Sequence, residues 1–152
     1  MARRKTDRAT GAAHGRGRTI FYTVAALLAL LGLADAGYLT VQALTGETLS
    51  CGGSADCFRV LGSSYSHIAG VPVAALGALG YFGVFSSATF AGFGYARARK
   101  IFVMLIWIMF AVTLWFLCVQ AFLLHAFCRY CLFSAAITFL LAGLVVASPS
   151  TD

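Results

Sequence analysis

The chain has 152 residues, 61% of them hydrophobic and only 11% charged. A soluble domain carries about 25% charged residues, so this composition excludes a water-soluble globule, and a mean hydropathy of +0.88 excludes disorder over most of the chain. The net charge is +6, which in a membrane protein is read from its distribution along the chain rather than as affinity for nucleic acid.

Residues 1–19 hold Arg3, Arg4, Lys5, Arg8, Arg16 and Arg18 without apolar periodicity, which predicts a disordered basic tail. Four apolar runs follow. The first covers 20–44 and carries one charge, Asp35. The second, 68–93, is uncharged and has Pro72 near its start. The third, 101–127, is uncharged, with Gln120 and His125 near its end. The fourth covers 132–147 and reaches spanning length when its helix starts at Cys128, giving 128–147. As a helix, each run can cross a hydrocarbon core of ~30 Å. None alternates as a membrane barrel strand does. The expectation is an all-α integral membrane protein: a four-transmembrane-helix bundle forming one domain over 20–147, with a short C-terminal tail over 148–152.

The connections differ in kind. Residues 45–67 form a long Gly- and Ser-rich loop with Cys51 and Cys57, and residues 94–100 a short basic loop with Arg97, Arg99 and Lys100. Spans three and four meet almost directly at Cys128-Arg129-Tyr130-Cys131. Basic residues favour the cytoplasmic side. Both termini and the 94–100 loop are therefore predicted to be cytoplasmic, in a multi-pass protein of the cell membrane. The cysteine loop and the 128–131 corner then share the extracytoplasmic side. A competing reading takes the basic start, the apolar run to Leu33 and the small residues Ala34 and Ala36 as a cleavable signal peptide. Apolarity resumes at Tyr38 and completes a span, so an uncleaved helix is expected.

Four of the five cysteines thus fall in the compartment where disulfides form. Cys128 and Cys131 make a Cys-x-x-Cys at the expected start of a helix. Free N–H groups and the helix dipole stabilise a thiolate there, lower its pKa and make it a better leaving group. Cys51 and Cys57 enclose a pliable Gly-Gly segment. Two dithiols on one face suit a thiol–disulfide relay. Other readings stay open at this stage: inert structural disulfides, a four-cysteine zinc site, or a soft-metal (zinc or mercury type) transporter. Cys118, inside span three, reads as a small apolar packing residue.

Electrons taken from thiols need an acceptor. There is no dinucleotide fingerprint for a flavin or nicotinamide, and no His pair placed for haem. A membrane quinone accepts two electrons and two protons, matching one dithiol. By nearness in the chain, Phe127, Tyr130, Leu132 and Phe133 are candidates to line its pocket. Asp35, Tyr38, Gln42 and Thr45 form one helical stripe, and an intramembrane carboxylate is costly. Asp35 reads either as a proton-handling group or as a hydrogen-bond partner of a neighbouring helix. His125 reads as a proton donor or an interfacial cap. Gly70, Ala74 and Ala78 have the small-residue spacing of close helix packing.

The stretches GLADAGYLT, CGGSADCFRVLGSSYSHIAGVPVAALGALGY and CRYCLFSA, in this order, resemble the bacterial branch of the vitamin K epoxide reductase family over residues 20–147. The resemblance implies a four-helix bundle around a quinone (menaquinone, ubiquinone or vitamin K type), with no flavin, haem or metal. It implies that Cys128 and Cys131 form the active disulfide, with Cys131 facing the quinone. Cys51 and Cys57 would be the shuttle pair, Cys57 attacking Cys128. Ser63 falls on the family's serine or threonine near the shuttle cysteine. The implied donor is a separate thioredoxin-like (DsbA-like) extracytoplasmic disulfide oxidant, so that electron flow drives disulfide formation in exported proteins. Two positions depart from the animal enzymes. Ser66 stands where they have an asparagine and Ala135 where they have a tyrosine, both quinone hydrogen-bonders there. Ser66 keeps a hydroxyl and Ala135 offers no donor, which favours plain quinone reduction over epoxide reduction.

Overall fold

A computed structural model describes residues 2–45 and 55–148, with side chains from Gly15 onward except that of Phe58. The first helix, α1, runs from Ala2 to Thr45. It runs through residues 2–19, where the sequence predicts a disordered tail, and the local chemistry permits this. The segment is rich in Ala and Arg, good helix formers, and has no proline to stop it.

A short helix α2 (Ala55–Leu61), a 3₁₀ turn (Ser64–Ser66) and a two-residue hairpin follow, with β1 (His67–Ile68) antiparallel to β2 (Val71–Pro72). Ala69 and Gly70 turn the hairpin at φ 53° and 82°, the doubly left-handed pattern of a tight hairpin turn. The second span is therefore α3 (Val73–Gly92), starting later than the expected Ile68. Pro72 sits immediately before it with φ −59°, a value compatible with helix entry. After Gly94, at φ 100°, comes α4 (Ala96–Cys118), which continues as a π-helical segment over Val119–Leu124. The third span thus ends three residues before the expected Phe127. The last helix, α5, covers Arg129–Ala147.

Among the described residues, four helices are long and apolar enough to cross a membrane: Gly15–Thr45, Val73–Gly92, Ala96–Leu124 and Arg129–Ala147. Helix α3 is the central element and packs antiparallel to both α1 and α4. Its Gly92 lies against Tyr22 and its Gly77 against Ala36, while Gly80 and Gly83 receive Met109 and Leu105 of α4. The closest approach is at Gly32 of α1, where the Tyr81 ring occupies the space a Cβ would need. Missing side chains let helices approach closely where lipid supplies no hydrophobic drive. The core holds Ala25, Ala29, Tyr81, Val84, Ala88, Phe102, Ile106 and Leu141.

Tyr81 is the polar tie of this core. Its hydroxyl lies 2.8 Å from the Ser134 carbonyl, 2.9 Å from Ser134 Oγ and 3.0 Å from Thr138 Oγ1, joining α3 to α5. The outer surface is apolar, with Leu27, Phe82, Trp115 and Leu140 exposed, as a lipid-facing bundle requires. Cys118 is exposed on this exterior and so does not pack inside, in contrast to its sequence reading. The cavity side of α4 is taken by Thr113, Phe116, Leu117 and Gln120, and one residue turns a helix by about 100°. Chain reversals gather α2, the hairpin and the Cys128 corner at one end of the bundle. The α3–α4 turn and the end of α5 lie at the other.

Candidate active site

The corner between α4 and α5 determines where Cys128 sits. After the π segment, His125 takes a left-handed conformation at φ 47°, and the N–H groups of His125 and Ala126 both donate to the Gln120 carbonyl. This tight reversal brings the chain back over Gln120. The Cys128 N–H then donates to Gln120 Oε1 at 3.1 Å. Cys128 caps α5 with an extended backbone, φ −84° and ψ 120°.

Cys128 faces α2. Its Sγ lies 3.7 Å from Cys57 Sγ, across 71 residues of sequence. Both side chains are fully buried, in a small cluster with Val60 and Ala126 and with Leu61, Leu124, Tyr130 and Cys131 against it. Cys57 is disulfide-bonded, whereas Cys128 and Cys131 are free thiols. Cys51, the expected partner of Cys57, lies outside the described residues.

The Cys128 thiol is held at about 6, well below the ordinary value of 9.0. The main cause is a hydrogen bond from the Cys131 thiol; the backbone N–H groups of Cys131 and Tyr130 add to it at the helix start. Burial opposes the shift, as does the Asp35 carboxylate. The lowered pKa favours the thiolate form of Cys128, whose sulfur lies against that of Cys57.

Cys131 touches Cys128 on one side and borders a cavity on the other. That cavity, of about 380 Å³, is lined by the loop-side ends of the helices and by the hairpin region. On α5 the wall is Cys131, Ser134, Ala135 and Thr138, one face at spacings of three and four. Helices α3 and α4 contribute Gly77, Tyr81, Met109, Phe116 and Gln120. The first turn of α5 therefore separates two chemistries. The loop-side sulfur, Cys128, meets Cys57; the cavity-side sulfur, Cys131, meets an apolar space with few polar groups, a typical small-molecule site.

The other sequence candidates fall as follows. Ser63 and Ser66 are on the cavity wall, with their hydroxyls turned to the loop itself. Ser63 Oγ donates to the Val60 carbonyl at 2.8 Å, and Ser66 Oγ bonds to the carbonyls of Leu61 and Ser63 and to His67 Nδ1. Phe127, Tyr130 and Phe133 are not among the wall residues. Phe127 and Phe133 are each 50% exposed, and Tyr130 stacks on Tyr38 with ring centres 5.5 Å apart. Neighbours in sequence leave a helix in different directions, so nearness to Cys131 along the chain does not put them on its face. Asp35 is half-buried, and its Oδ2 is buried without a hydrogen-bond partner among the described residues. His125 is exposed at the corner. Among the described residues no three His, Cys, Asp or Glu side chains converge as metal ligands.

Two roles are clear only in the fold. Gln120 supports the Cys128 backbone, and Tyr81 with Thr138 builds the polar part of the cavity wall. The one sequence signal for Gln120 is an amide in an otherwise uncharged, apolar span, where a polar group needs a partner. Compared with sequence models of protein families, residues 23–146 match the one described as the Vitamin K epoxide reductase family.

Proposed function

The chain belongs to the vitamin K epoxide reductase family and is a membrane thiol–disulfide oxidoreductase; from that premise we propose that it carries electrons from a reduced thioredoxin-like partner, through two cysteine pairs, to a membrane quinone. The observation that carries this reading is the 3.7 Å contact between Cys57 and Cys128, with Cys131 directed to the cavity.

The relay is balanced at each step. The partner's dithiol reduces a Cys51–Cys57 disulfide and is itself oxidised, leaving the loop pair as thiols. The Cys57 thiolate attacks Cys128 in a Cys128–Cys131 disulfide, forming Cys57–Cys128 and releasing Cys131. The Cys51 thiolate attacks Cys57, re-forming the loop disulfide and releasing Cys128. A low pKa makes Cys128 the better leaving group here. A disulfide-bonded Cys57 beside free Cys128 and Cys131 is the arrangement at the end of this step. A quinone, when bound, supplies an acceptor of two electrons and two protons, and Cys128–Cys131 closes again as a disulfide.

The residues present suit that acceptor. A cavity of about 380 Å³ falls in the range of small-molecule sites, and it is apolar apart from a few hydroxyls and one amide. Asp35 is the candidate proton carrier near the cysteines, because its carboxylate acts on Cys128 and one oxygen lacks a partner among the described residues. The exposed His125 is the candidate for proton exchange at the corner. The basic residues of the first 19 positions and of 94–100 support cytoplasmic termini, with the cysteine pairs extracytoplasmic. In that compartment the net product is disulfide bonds in exported proteins.

The test is dithiol-driven quinone reduction by purified protein in detergent, with a Cys→Ala variant at each of Cys51, Cys57, Cys128 and Cys131. Cys128→Ala and Cys131→Ala are expected to abolish turnover. Cys51→Ala is expected to impair oxidation of a thioredoxin-like partner more than that of a small dithiol. Full activity of Cys131→Ser, or stoichiometric zinc in a protein that reduces no quinone, overturns the proposal.

A further inference from the structure

Gln120 has a hydrogen-bonding capacity that the relay leaves unused. It is 1% exposed and lies on the cavity wall. Its Oε1 accepts from the Cys128 N–H, which fixes the orientation of the amide, since an N–H cannot donate to an NH₂ group. Nε2 therefore keeps two N–H donors, and no hydrogen bond among the described residues uses them. Two unused amide donors on a residue of the cavity wall offer a partner to a ligand acceptor.

The other fully buried polar side chains of the wall, and the two loop serines on it, are already committed. Tyr81 and Thr138, its other two fully buried polar side chains, bond to each other and to Ser134. The hydroxyls of Ser63 and Ser66 have loop carbonyls as partners. Ala135 offers no donor. Cys131 shares the wall with Gln120, and Cys128 is tied to both: to Gln120 through its N–H and to Cys131 through its sulfur.

We propose that Gln120 Nε2 donates the hydrogen bond that seats a carbonyl oxygen of the quinone beside Cys131, while Gln120 Oε1 holds the Cys128 backbone. One side chain then sets the position of both the acceptor and the active cysteines. This rests on the quinone reading above and adds the residue that recognises the head group.

The test compares the full chain with Gln120→Leu and Gln120→Glu in detergent, using a soluble para-quinone. Two readouts are taken: the quinone KM under dithiol turnover, and the carbonyl stretch of carbonyl-labelled quinone bound without any dithiol donor. Gln120→Leu is expected to raise KM about tenfold, the scale of one lost hydrogen bond, and to return the bound carbonyl towards its free frequency. Gln120→Glu keeps the shape and the acceptor for Cys128. Its quinone affinity is expected to become pH-dependent, near that of the parent chain where the carboxyl is protonated and can donate, and weaker where it is ionised. A KM and a carbonyl frequency unchanged in Gln120→Leu, or a Gln120→Glu affinity as independent of pH as that of the parent chain, overturn the assignment. Failure of the unsubstituted chain to bind or reduce the quinone overturns the functional reading itself, a separate result.

Discussion

The Cys131→Ala substitution tests the electrostatics of the corner directly. The Cys131 thiol is the largest influence holding Cys128 at about 6 instead of 9.0, ahead of the backbone N–H groups of the helix start. Alanine keeps those N–H groups and removes the S–H donor. Burial and the Asp35 carboxylate, which both disfavour the thiolate, remain. The Cys128 midpoint is therefore expected to rise towards the ordinary value. At pH 7 a thiol titrating near 6 is roughly 90% thiolate, and one titrating near 9 roughly 1%. The full change is thus close to a hundredfold in reactive species. The advantage exists only in the window between about pH 6 and pH 9; below it both forms are thiols, and above it both are thiolates. The assay is thiolate ultraviolet absorbance against pH, in chains carrying Cys51→Ser, Cys57→Ser and Cys118→Ser so that only the corner cysteines ionise. A midpoint that stays near 6 in Cys131→Ala refutes the argument and assigns the acidity to the helix terminus instead.

Three further outcomes follow from the same geometry. Asp35→Asn removes a charge that opposes the Cys128 thiolate, so the Cys128 midpoint moves lower still; a midpoint that rises shows the carboxylate acting in some other way. With Cys51→Ala and Cys131→Ala combined, neither resolving thiol remains, and mild oxidation is expected to lock Cys57 to Cys128 as a disulfide seen by non-reducing peptide mapping. Recovery of both as free thiols argues against direct exchange between them. Gly32→Ala drives a methyl into the Tyr81 ring, and overpacking of this kind costs about 1–3 kcal/mol, visible as a lower melting temperature in detergent. An unchanged melt means that the α1–α3 contact relaxes freely.

Much of this was legible in the sequence because hydrocarbon imposes few solutions. A run of about 20 apolar residues has to be a helix in lipid, since every backbone group must be satisfied within it. The four spans therefore follow from composition and length alone. The Cys-x-x-Cys likewise carries much of its acidity with it, because the neighbouring thiol that bonds Cys128 and the N–H donors of the helix start both belong to the motif itself. Element boundaries were harder to read. The start of α3 is set by the hairpin ahead of Pro72, and the continuation of α1 to Ala2 rests on helix propensity that the basic composition obscured.

What only the tertiary structure decided is spatial selection. Cys57 reaches Cys128 across 71 residues because α2 folds over the corner, and no local pattern encodes that meeting. The cavity is a gap between helices, so its wall is chosen by helix rotation and packing. This is why the wall takes Tyr81, Gln120 and Thr138 from three different helices and leaves the aromatic neighbours of the active cysteines outside. The sequence by itself determined the membrane bundle and singled out four cysteines as the candidate relay. The fold decided which sulfur faces which partner, because a helix sends neighbouring residues in different directions and brings distant ones together.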